Sequence, residues 1–374
     1  MDKRAPIYVA GHQGMVGSAV VRRLTQAGFT QIITRRHGEL DLERQGAVEE
    51  FFRSTQPEYV ILAAAKVGGI WANQSYPAEF IYSNLAIQTH LLHSAHRFGV
   101  KQLLFLGSSC IYPRECPQPM AERYLLSGPL EPTNRPYAVA KIAGIEMCRA
   151  YNRQYGTRFL AVMPTNLYGP HDNFDLTTSH VLPALIRKFH LAKLARAGDL
   201  DAITRDVARF GPLPETFGRG LGLTRKASRW VSAAARENPS VELWGTGAAY
   251  REFLHVDDMA DACIHLMEVS QGRPLADHRP KNNPEPPDSN GEAPAAILPF
   301  YNVGSGKDLK IRELTALICR VVGYDGAIVW DPSKPDGTPR KRLDPQAMFS
   351  LNWRPKIQLA QGIEHTYDWY LNQY

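Results

Sequence analysis

The chain has 374 residues, of which 44% are hydrophobic and 21% are charged, as is typical of a globular protein with one large or two ordinary domains. Its net charge of +6 is too small and too dispersed for nucleic-acid binding, although it is compatible with an anionic small molecule. The five cysteines lack metal-ligand spacing, and no apolar run has spanning length, so we expect a reduced, cytoplasmic protein without a membrane segment.

The first half of the chain alternates predicted strands and helices. The predicted strands are PIYVA, QIITRR, the apolar run YVILAAA, KQLLFLGSS and RFLAVMPTNLYGP with its loop. The predicted helices between them are SAVVRRLTQAG, AVEEFFRSTQP, FIYSNLAIQTHLLHSAHRFG and PYAVAKIAGIEMCRAYNRQYG. This alternation predicts an α/β fold with a Rossmann-type, doubly wound parallel sheet.

Composition suggests two regions. We expect residues 1–175 to form the nucleotide-binding domain, with 252–270 returning to it, and residues 176–374 to form mainly a smaller C-terminal α/β region that binds substrate. Residues 191–238 are rich in Ala, Arg and Gly and are interpreted as an insertion in that region. Residues 271–297 contain six prolines and many polar residues, which predicts a mobile surface loop.

The run GHQGMVG spaces three glycines as G-x-x-G-x-x-G between the first strand and the first helix. Such glycines permit a tight turn and a close approach of the backbone to a pyrophosphate, which the helix N-terminus attracts. The position of the turn at the first strand–helix junction strengthens the prediction of a dinucleotide site. The residues predicted to bind the cofactor here are Gly11, His12, Gln13, Gly14, Met15, Val16 and Gly17.

The end of the second strand indicates which dinucleotide is bound. An NAD-binding protein usually has an acidic residue there for the ribose 2′-hydroxyl, whereas this chain has Arg35 and Arg36. Two cations suit a 2′-phosphate, so NADP(H) is the favoured cofactor. Glu39 and Asp41 lie near enough along the chain to keep NAD open.

The run PYAVAK places Tyr137 and Lys141 one turn apart on the same face of a helix. A tyrosine with a pKa of about 10 transfers protons poorly at neutral pH, and a nearby ammonium lowers that pKa by stabilising the phenolate. Lys141 can also hold the nicotinamide ribose. Ser108, at the end of the run LLFLGSS, can hydrogen-bond a substrate carbonyl. We therefore predict these three residues to be catalytic.

Together these motifs resemble the extended short-chain dehydrogenase/reductase family, in particular its members that modify GDP-sugars. The resemblance covers nearly all of the chain except residues 191–238 and 271–297. The stretches that carry it are AGHQGMVGSA, LAAAKVGGIWAN, LFLGSSCIYP, EPTNRPYAVAKIAGIEMC, VMPTNLYGPHDNF, SHVLPALIRKFH, REFLHVDDMADA and KPDGTPRK. It implies conversion of GDP-4-keto-6-deoxy-D-mannose to GDP-L-fucose by 3,5-epimerisation and then NADPH-dependent reduction at C4. It also implies a homodimer formed through helices within residues 80–98 and 137–155.

The resemblance assigns further roles residue by residue. It implies that Cys110 acts as the base and His180 as the acid in proton transfer at C3 and C5. It implies further cofactor contacts from Leu106, Gly107, Ser108, Lys141, Pro164, Thr165, Asn166, Leu167 and His180. It implies GDP-sugar contacts from Lys188, Trp244, Arg251, Asp336 and Lys341, although Trp244 can equally be a core residue.

Two other functions stay open at this point. A C4 epimerase or 4,6-dehydratase of the same fold would recycle a tightly bound NAD, although Cys110 stands where a dehydratase has an acidic pair. A non-catalytic nucleotide-binding protein is disfavoured because Tyr137 and Lys141 are both present. Gln13 stands where a close relative has arginine, so Arg35 and Arg36 would have to carry any preference for NADPH.

Overall fold

The computed structural model describes residues 1–226, 229–232, 240–275, 297–334 and 336–373. Most of the loop predicted at 271–297 therefore lies outside the described residues. The strands are β1 (Ile7–Ala10), β2 (Ile32–Ile33), β3 (Tyr59–Leu62), β4 (Gln102–Leu106), β5 (Phe159–Pro164), β6 (Asn166–Tyr168), β7 (Leu223–Lys226), β8 (Arg229–Ser232), β9 (Ser240–Trp244), β10 (Tyr250–His255), β11 (Phe300–Val303), β12 (Asp308–Lys310), β13 (Ala327–Asp331) and β14 (Arg340–Lys341). The helices are α1 (Met15–Gln26), α2 (Gln45–Thr55), α3 (Ile70–Ser75), α4 (Pro77–Arg97), α5 (Arg135–Tyr155), α6 (Val181–Ala197), α7 (Leu200–Phe210), α8 (Glu215–Gly220), α9 (Val256–Val269), α10 (Ile311–Val322), α11 (Gln346–Ser350) and α12 (Leu359–Leu371).

The main sheet has six parallel strands in the order β11-β5-β4-β3-β1-β2. The chain runs from β1 outward to β2 and then crosses back to β3 on the other side of β1. Such a reversal leaves a crevice at the carboxyl ends of the strands, and the glycine turn follows β1 at this point. The predicted Rossmann-type parallel sheet is confirmed.

Helices cover both faces of this sheet, which explains why its central strands β1, β3 and β4 are buried along their whole length. On one face α1 packs against α9, with Leu24 and Met259 in a shared core. On the other face α4 packs against α5, with Leu92 and Ile145 in a second core. Residues 256–269 therefore return to the sheet, and β11 extends the sheet beside β5.

Several predicted strands are shorter in the structure: QIITRR keeps only Ile32–Ile33, and KQLLFLGSS ends at Leu106. The strand predicted over YVILAAA ends at Leu62, because its partner β1 turns away at Gly11. The strand predicted over RFLAVMPTNLYGP divides at Thr165, whose backbone N–H donates to the Val303 carbonyl at 3.1 Å. Beyond that bond the chain leaves the main sheet, and β6 pairs with β10 instead. This crossing places the residues after β5 between the two regions of the molecule.

The C-terminal region is built on β10, which pairs with β6, β12 and β14, and on the separate pair β9–β13. Helices α6, α10 and α12 enclose a third core that contains Phe189, Ile318 and Tyr370. The segment interpreted as an insertion contains the end of α6, then α7, α8 and the β7–β8 hairpin. Within the described ranges, no helix has both the length and the apolar character needed to cross a membrane.

Candidate active site

The glycine turn has the shape that a pyrophosphate site requires. Gly11 has φ +82°, and a Cβ there would lie 2.7 Å from the Ala64 backbone nitrogen. A Cβ on Gly17 would overlap the Gly11 carbonyl oxygen, so a side chain cannot be accommodated there. Gly14 is the N-cap of α1, and neither a capping side chain nor an acidic residue occupies the first turn. The N–H groups of that turn are therefore available to an anion.

The other residues of the turn differ in their exposure. Met15 and Val16 pack against the core beneath α1, whereas Gln13 is exposed. His12 Nδ1 is buried and has no hydrogen-bond partner among the described residues. The turn thus presents mainly backbone to a ligand.

Arg35 and Arg36 follow β2, the strand that pairs with β1. The Arg35 guanidinium lies 5.5 Å from the centre of the Phe51 ring, and Arg36 is exposed beside it. Glu39 accepts a hydrogen bond of 2.7 Å from the Arg36 backbone N–H, and Asp41 accepts one of 3.0 Å within its own loop. The two acidic residues are thus engaged in local structure.

Ser108 lies where β4 opens into the crevice. Gly107 before it allows close packing, because a Cβ there would overlap the Met163 sulfur. The Ser108 hydroxyl accepts a hydrogen bond of 3.3 Å from the Cys110 backbone N–H and caps a short 3₁₀ turn. Against the larger effect of burial, the same side chain also lowers the pKa of both the Cys110 thiol and the Tyr137 phenol. Ser108 thus acts electrostatically on both groups.

Helix α5 carries Tyr137 and Lys141 to this point. Lys141 is 3% exposed, and its ammonium donates to the Leu106 carbonyl at 2.8 Å and lies 5.7 Å from the Tyr137 ring centre. Burial lowers the pKa of Lys141 to about 8. Burial, followed by the nearby Cys110, raises the pKa of Tyr137 above its ordinary value.

The expected lowering of the Tyr137 pKa is therefore not observed. The main reason is burial of the phenol, and the Lys141 ammonium donates to the Leu106 carbonyl. A phenol that stays protonated is suited to donate a proton rather than to accept one.

Cys110 and His180 share a cationic neighbour, Lys341. Burial raises the pKa of the Cys110 thiol, while the positive charges of Lys341 and Lys141 lower it. His180 is the exposed N-cap of α6, and its pKa is lowered by partial desolvation from the surrounding protein atoms and by the charge of Lys341. The sequence placed Lys341 only in the GDP-sugar site, whereas the structure brings it to the thiol and the imidazole.

The loop of residues 164–167, which was expected to lie against the nicotinamide, is held by hydrogen bonds to β10. Thr165 Oγ1 and Asn166 Nδ2 both donate to the Glu252 carbonyl, at 3.2 Å and 2.8 Å. Pro164 ends β5, and Leu167 pairs with Leu254 in β6–β10. The loop is thereby held between the two sheets.

Glu252 is a residue that sequence reasoning missed. It is fully buried, and its carboxylate accepts hydrogen bonds from the backbone N–H groups of Gly306 at 2.7 Å and Leu343 at 2.8 Å. These bonds tie β10 to the segment that carries Lys341. An acidic residue within the otherwise apolar end of the strand REFLH was the available signal.

The residues predicted to bind the GDP-sugar lie on several separate elements of the C-terminal region. Lys188 Nζ donates to the Glu242 carbonyl at 3.3 Å and lies 5.7 Å from the Phe217 ring centre. Arg251 Nη1 donates to the Thr338 carbonyl at 2.7 Å. Burial lowers the pKa of both side chains, so an anionic partner would stabilise the charged form of each.

Two further residues of this set have different environments. Trp244 is 68% exposed, so it is not the core residue that the sequence left open. Asp336 accepts hydrogen bonds from the Thr246 backbone N–H at 2.7 Å and from its hydroxyl at 2.6 Å. Asp336 thus holds the turn after β9 in place.

Comparison with known proteins identifies the family of this chain. The model of the NAD dependent epimerase/dehydratase family matches residues 7–209 and 207–276. GDP-L-fucose synthase 1 of Arabidopsis thaliana is 48% identical over 370 residues, which cover 99% of this chain and 94% of that protein. The GDP-L-fucose synthase of Escherichia coli K12 is 47% identical over 365 residues, with 98% and 96% covered.

Solved structures extend the comparison. A GDP-D-glycero-L-gluco-heptose synthase from Campylobacter jejuni, in the presence of NADPH, is 37% identical and has a TM-score of 0.83 over 99% of each chain. A GDP-6-OMe-4-keto-L-xylo-heptose reductase from C. jejuni is also 37% identical and has a TM-score of 0.82, with 100% of this chain and 99% of that chain covered. The resemblance found in the sequence is confirmed: the chain belongs to the NAD dependent epimerase/dehydratase family and, within it, to the group of the GDP-L-fucose synthases.

Proposed function

We propose that this protein converts GDP-4-keto-6-deoxy-D-mannose to GDP-L-fucose by epimerisation at C3 and C5 and NADPH-dependent reduction at C4. The observation that carries the proposal is that Ser108 accepts a hydrogen bond from the Cys110 backbone N–H at 3.3 Å and, against the effect of burial, lowers the pKa of both the Cys110 thiol and the Tyr137 phenol. Cys110, for proton transfer at carbon, and Tyr137, as the proton donor for the C4 oxygen, would thus act on the same part of the substrate. The relatives at 47–48% identity named GDP-L-fucose synthase support the same reaction.

NADP(H) fits the residues of the glycine turn, because a Cβ at Gly17 would fill the cradle and the first turn of α1 is uncapped. Arg35 and Arg36 would meet its 2′-phosphate, and Lys141 with residues 164–167 would hold its nicotinamide end. When bound, the cofactor supplies the hydride for C4. Ser108 would hydrogen-bond the C4 oxygen, and Tyr137 would donate the proton that completes the hydroxyl.

The epimerisation uses a different pair of groups. The 4-keto group acidifies the protons at C3 and C5. At each of these carbons in turn, the Cys110 thiolate removes the proton, which leaves an enolate. The His180 imidazolium returns a proton to the opposite face of the ring, and exchange with water restores both groups. Lys341 lies where its charge favours the thiolate of Cys110. The lowered pKa of His180 makes its imidazolium a stronger acid.

The GDP moiety would be bound by the cations of the C-terminal region. Lys188 and Arg251 are partly buried cations whose described partners are backbone carbonyls, and they would bind the diphosphate. The exposed ring of Trp244 would stack on the base or sugar. Residues 1–175 with 252–270 would then bind the cofactor, and most of residues 176–374 the sugar nucleotide.

The proposal extends to the assembly and location of the protein. The α4–α5 pair exposes Tyr82, Val139 and Tyr155, which are 65%, 40% and 50% exposed. A homodimer would cover these side chains, and sedimentation of a mostly monomeric species would contradict it. A cytoplasmic location is supported by five cysteines that are all unpaired.

The decisive experiment mixes the purified protein with GDP-4-keto-6-deoxy-D-mannose and NADPH. Absorbance follows the nicotinamide, and NMR identifies the sugar. Stoichiometric loss of NADPH with formation of GDP-L-fucose supports the proposal. Loss of NADPH with only the unepimerised 6-deoxy sugar as product would remove the epimerase and keep the reductase. No loss at all would favour an enzyme that recycles tightly bound NAD.

A further inference from the structure

A fully buried ion pair lies beside the active site and has no role in the proposed mechanism. Arg187 on α6 and Asp206 on α7 are both 0% exposed, and the Nε–H of Arg187 donates to Asp206 Oδ1 at 2.8 Å. The Tyr370 hydroxyl on α12 donates to the other carboxylate oxygen. A paired charge at this depth is retained only where its geometry is well satisfied, so its remaining partners show what it holds.

The remaining donors of Arg187 bind backbone carbonyls from two segments. Nη1 donates to Phe174 at 3.1 Å and to Phe210 at 2.9 Å, and Nη2 donates to Gly211. Phe174 belongs to the loop between β6 and α6 that ends at His180, whereas Phe210 and Gly211 belong to the end of α7. The guanidinium thus joins the His180 loop to the end of α7.

The buried anchor of this loop is Phe174, which is 1% exposed. Its ring lies 5.4 Å from the Phe210 ring and 4.9 Å from the Tyr370 ring, centre to centre. The next residue, Asp175, has its carboxylate against the Cα of Gly211, where φ is +94° and a side chain would collide with it. The end of α7 therefore contacts two successive residues of the loop.

From Asp175 the contacts continue to His180. Its carboxylate accepts hydrogen bonds from the N–H groups of Thr177 at 2.8 Å and Thr178 at 3.2 Å, and its carbonyl accepts one from Ser179 at 2.8 Å. His180 follows directly as the N-cap of α6. A continuous set of contacts thus runs from Asp206 through Arg187 and Phe174 to the residue before the imidazole.

We infer that Arg187 and Asp206 are positioning residues for proton transfer by His180, and that α7 is the element that supplies this support. The inference rests on the proposed function, because the role of His180 belongs to it. Neither residue would touch the substrate. Their effect would be confined to the step in which His180 returns a proton to carbon, since Ser108, Tyr137 and Lys141 lie on other elements.

The test is Asp206→Asn, which keeps the side-chain shape and an acceptor oxygen but removes the charge. Epimerisation is followed as deuterium incorporation from D₂O at C3 and C5, and reduction as oxidation of GDP-L-fucose by NADP⁺ in the first turnover. We expect deuterium incorporation at saturating substrate to fall about tenfold to a hundredfold, since a misplacement of about 1 Å has effects of that size. The oxidation should stay within about twofold of the parent rate.

Two controls separate positioning from loss of folded protein. A smaller folded fraction lowers both half-reactions by one factor, so an equal decrease in both would overturn the inference. Asp261→Asn removes the acidic partner of Arg23 between α1 and α9, away from His180, and should leave the ratio of the two rates unchanged. If Asp206→Asn does not stay folded, Tyr370→Phe removes one bond to the carboxylate and should lower the same ratio less.

A parallel His180→Gln variant separates the proposed role of His180 from the inferred positioning role of Arg187 and Asp206. If His180→Gln incorporates deuterium at the parent rate, the proposed role of His180 fails and the inference falls with it. If His180→Gln loses incorporation while folded Asp206→Asn retains it, the inference alone is overturned. Loss in both variants, with the oxidation preserved in Asp206→Asn, supports it.

Discussion

The Ser108 hydroxyl accepts a hydrogen bond of 3.3 Å from the Cys110 backbone N–H, and against the effect of burial the Ser108 side chain lowers the pKa of both the Cys110 thiol and the Tyr137 phenol. The two groups come from different elements, the thiol from the turn after β4 and the phenol from α5. In the proposed mechanism, proton transfer at carbon and protonation of oxygen would therefore use separate groups at one location. This separation makes the two half-reactions independently testable.

Cys110→Ser should slow epimerisation far more than reduction, because a serine hydroxyl is too weak a base to take a proton from carbon. The expected decrease in deuterium incorporation is about 10²- to 10⁴-fold, the usual contribution of a positioned acid or base. First-turnover oxidation of GDP-L-fucose should change little. Equal loss in both assays would rule out the role of the thiol in epimerisation.

Tyr137→Phe should have the opposite effect, because it removes the proton donor for the C4 oxygen and leaves the thiol in place. NADPH consumption should fall about 10²-fold or more, while deuterium incorporation from D₂O continues. Both are measured on the same preparation, by absorbance and by NMR. A variant that still oxidises NADPH at the parent rate would show that another group donates the proton.

Replacing Arg35 and Arg36 by alanine should weaken the preference for NADPH. A charged hydrogen bond contributes about 1.5–3 kcal/mol, so the ratio of kcat/KM for NADPH over NADH should fall about tenfold or more. Arg44→Ala is a suitable control, because that arginine is 80% exposed and pairs with Asp41. An unchanged ratio in the double variant would mean that the 2′-phosphate is recognised elsewhere.

Gly17→Ala should disrupt cofactor binding, because its Cβ would overlap the Gly11 carbonyl oxygen. Overpacking of this kind costs about 1–3 kcal/mol, and the turn must shift to relieve it. Fluorescence titration should show NADPH affinity at least about tenfold weaker. The matched control is Gly46→Ala on α2, where a Cβ meets open space and the parent affinity should persist.

Stability should decline in mild acid partly because of His190. It is 5% exposed, its Nδ1 lies 2.9 Å from the Tyr367 hydroxyl, and burial, followed by the charge of Lys193, lowers its pKa to about 4. The unfolded chain, with a His pKa of about 6.5, binds a proton that the folded protein excludes. The contribution is therefore fully present above pH 6.5 and is lost as the pH falls towards 4.

Urea unfolding at pH 7 and pH 5 measures this contribution. Between these values the free energy of unfolding should fall by about 2 kcal/mol more in the parent than in His190→Gln. Comparing the two proteins at each pH cancels the contributions that the other titrating groups make to the free energy of unfolding. Identical pH dependence in the two proteins would show that His190 titrates alike in the folded and unfolded states.

The sequence by itself determined the features that depend on residues close together in the chain. The glycine turn, the alternation of strands and helices, and the spacing of Tyr137 and Lys141 are local patterns, because turn geometry and helix periodicity extend over a few residues. Ser108 and Cys110 were likewise identified at the end of an apolar run, since the carboxyl ends of parallel strands face the ligand crevice.

Only the tertiary structure decided which distant groups meet at that crevice. Lys341 reaches Cys110 because β14 pairs with β10, and the Glu252 carboxylate holds the segment that follows it. The direction of the Tyr137 pKa shift was also decided by how deeply the fold buries the phenol. Burial and charge act through space, and no local pattern encodes which parts of the chain are brought together. For the same reason, the Arg187–Asp206 pair became recognisable only when α7 was seen packed against α6.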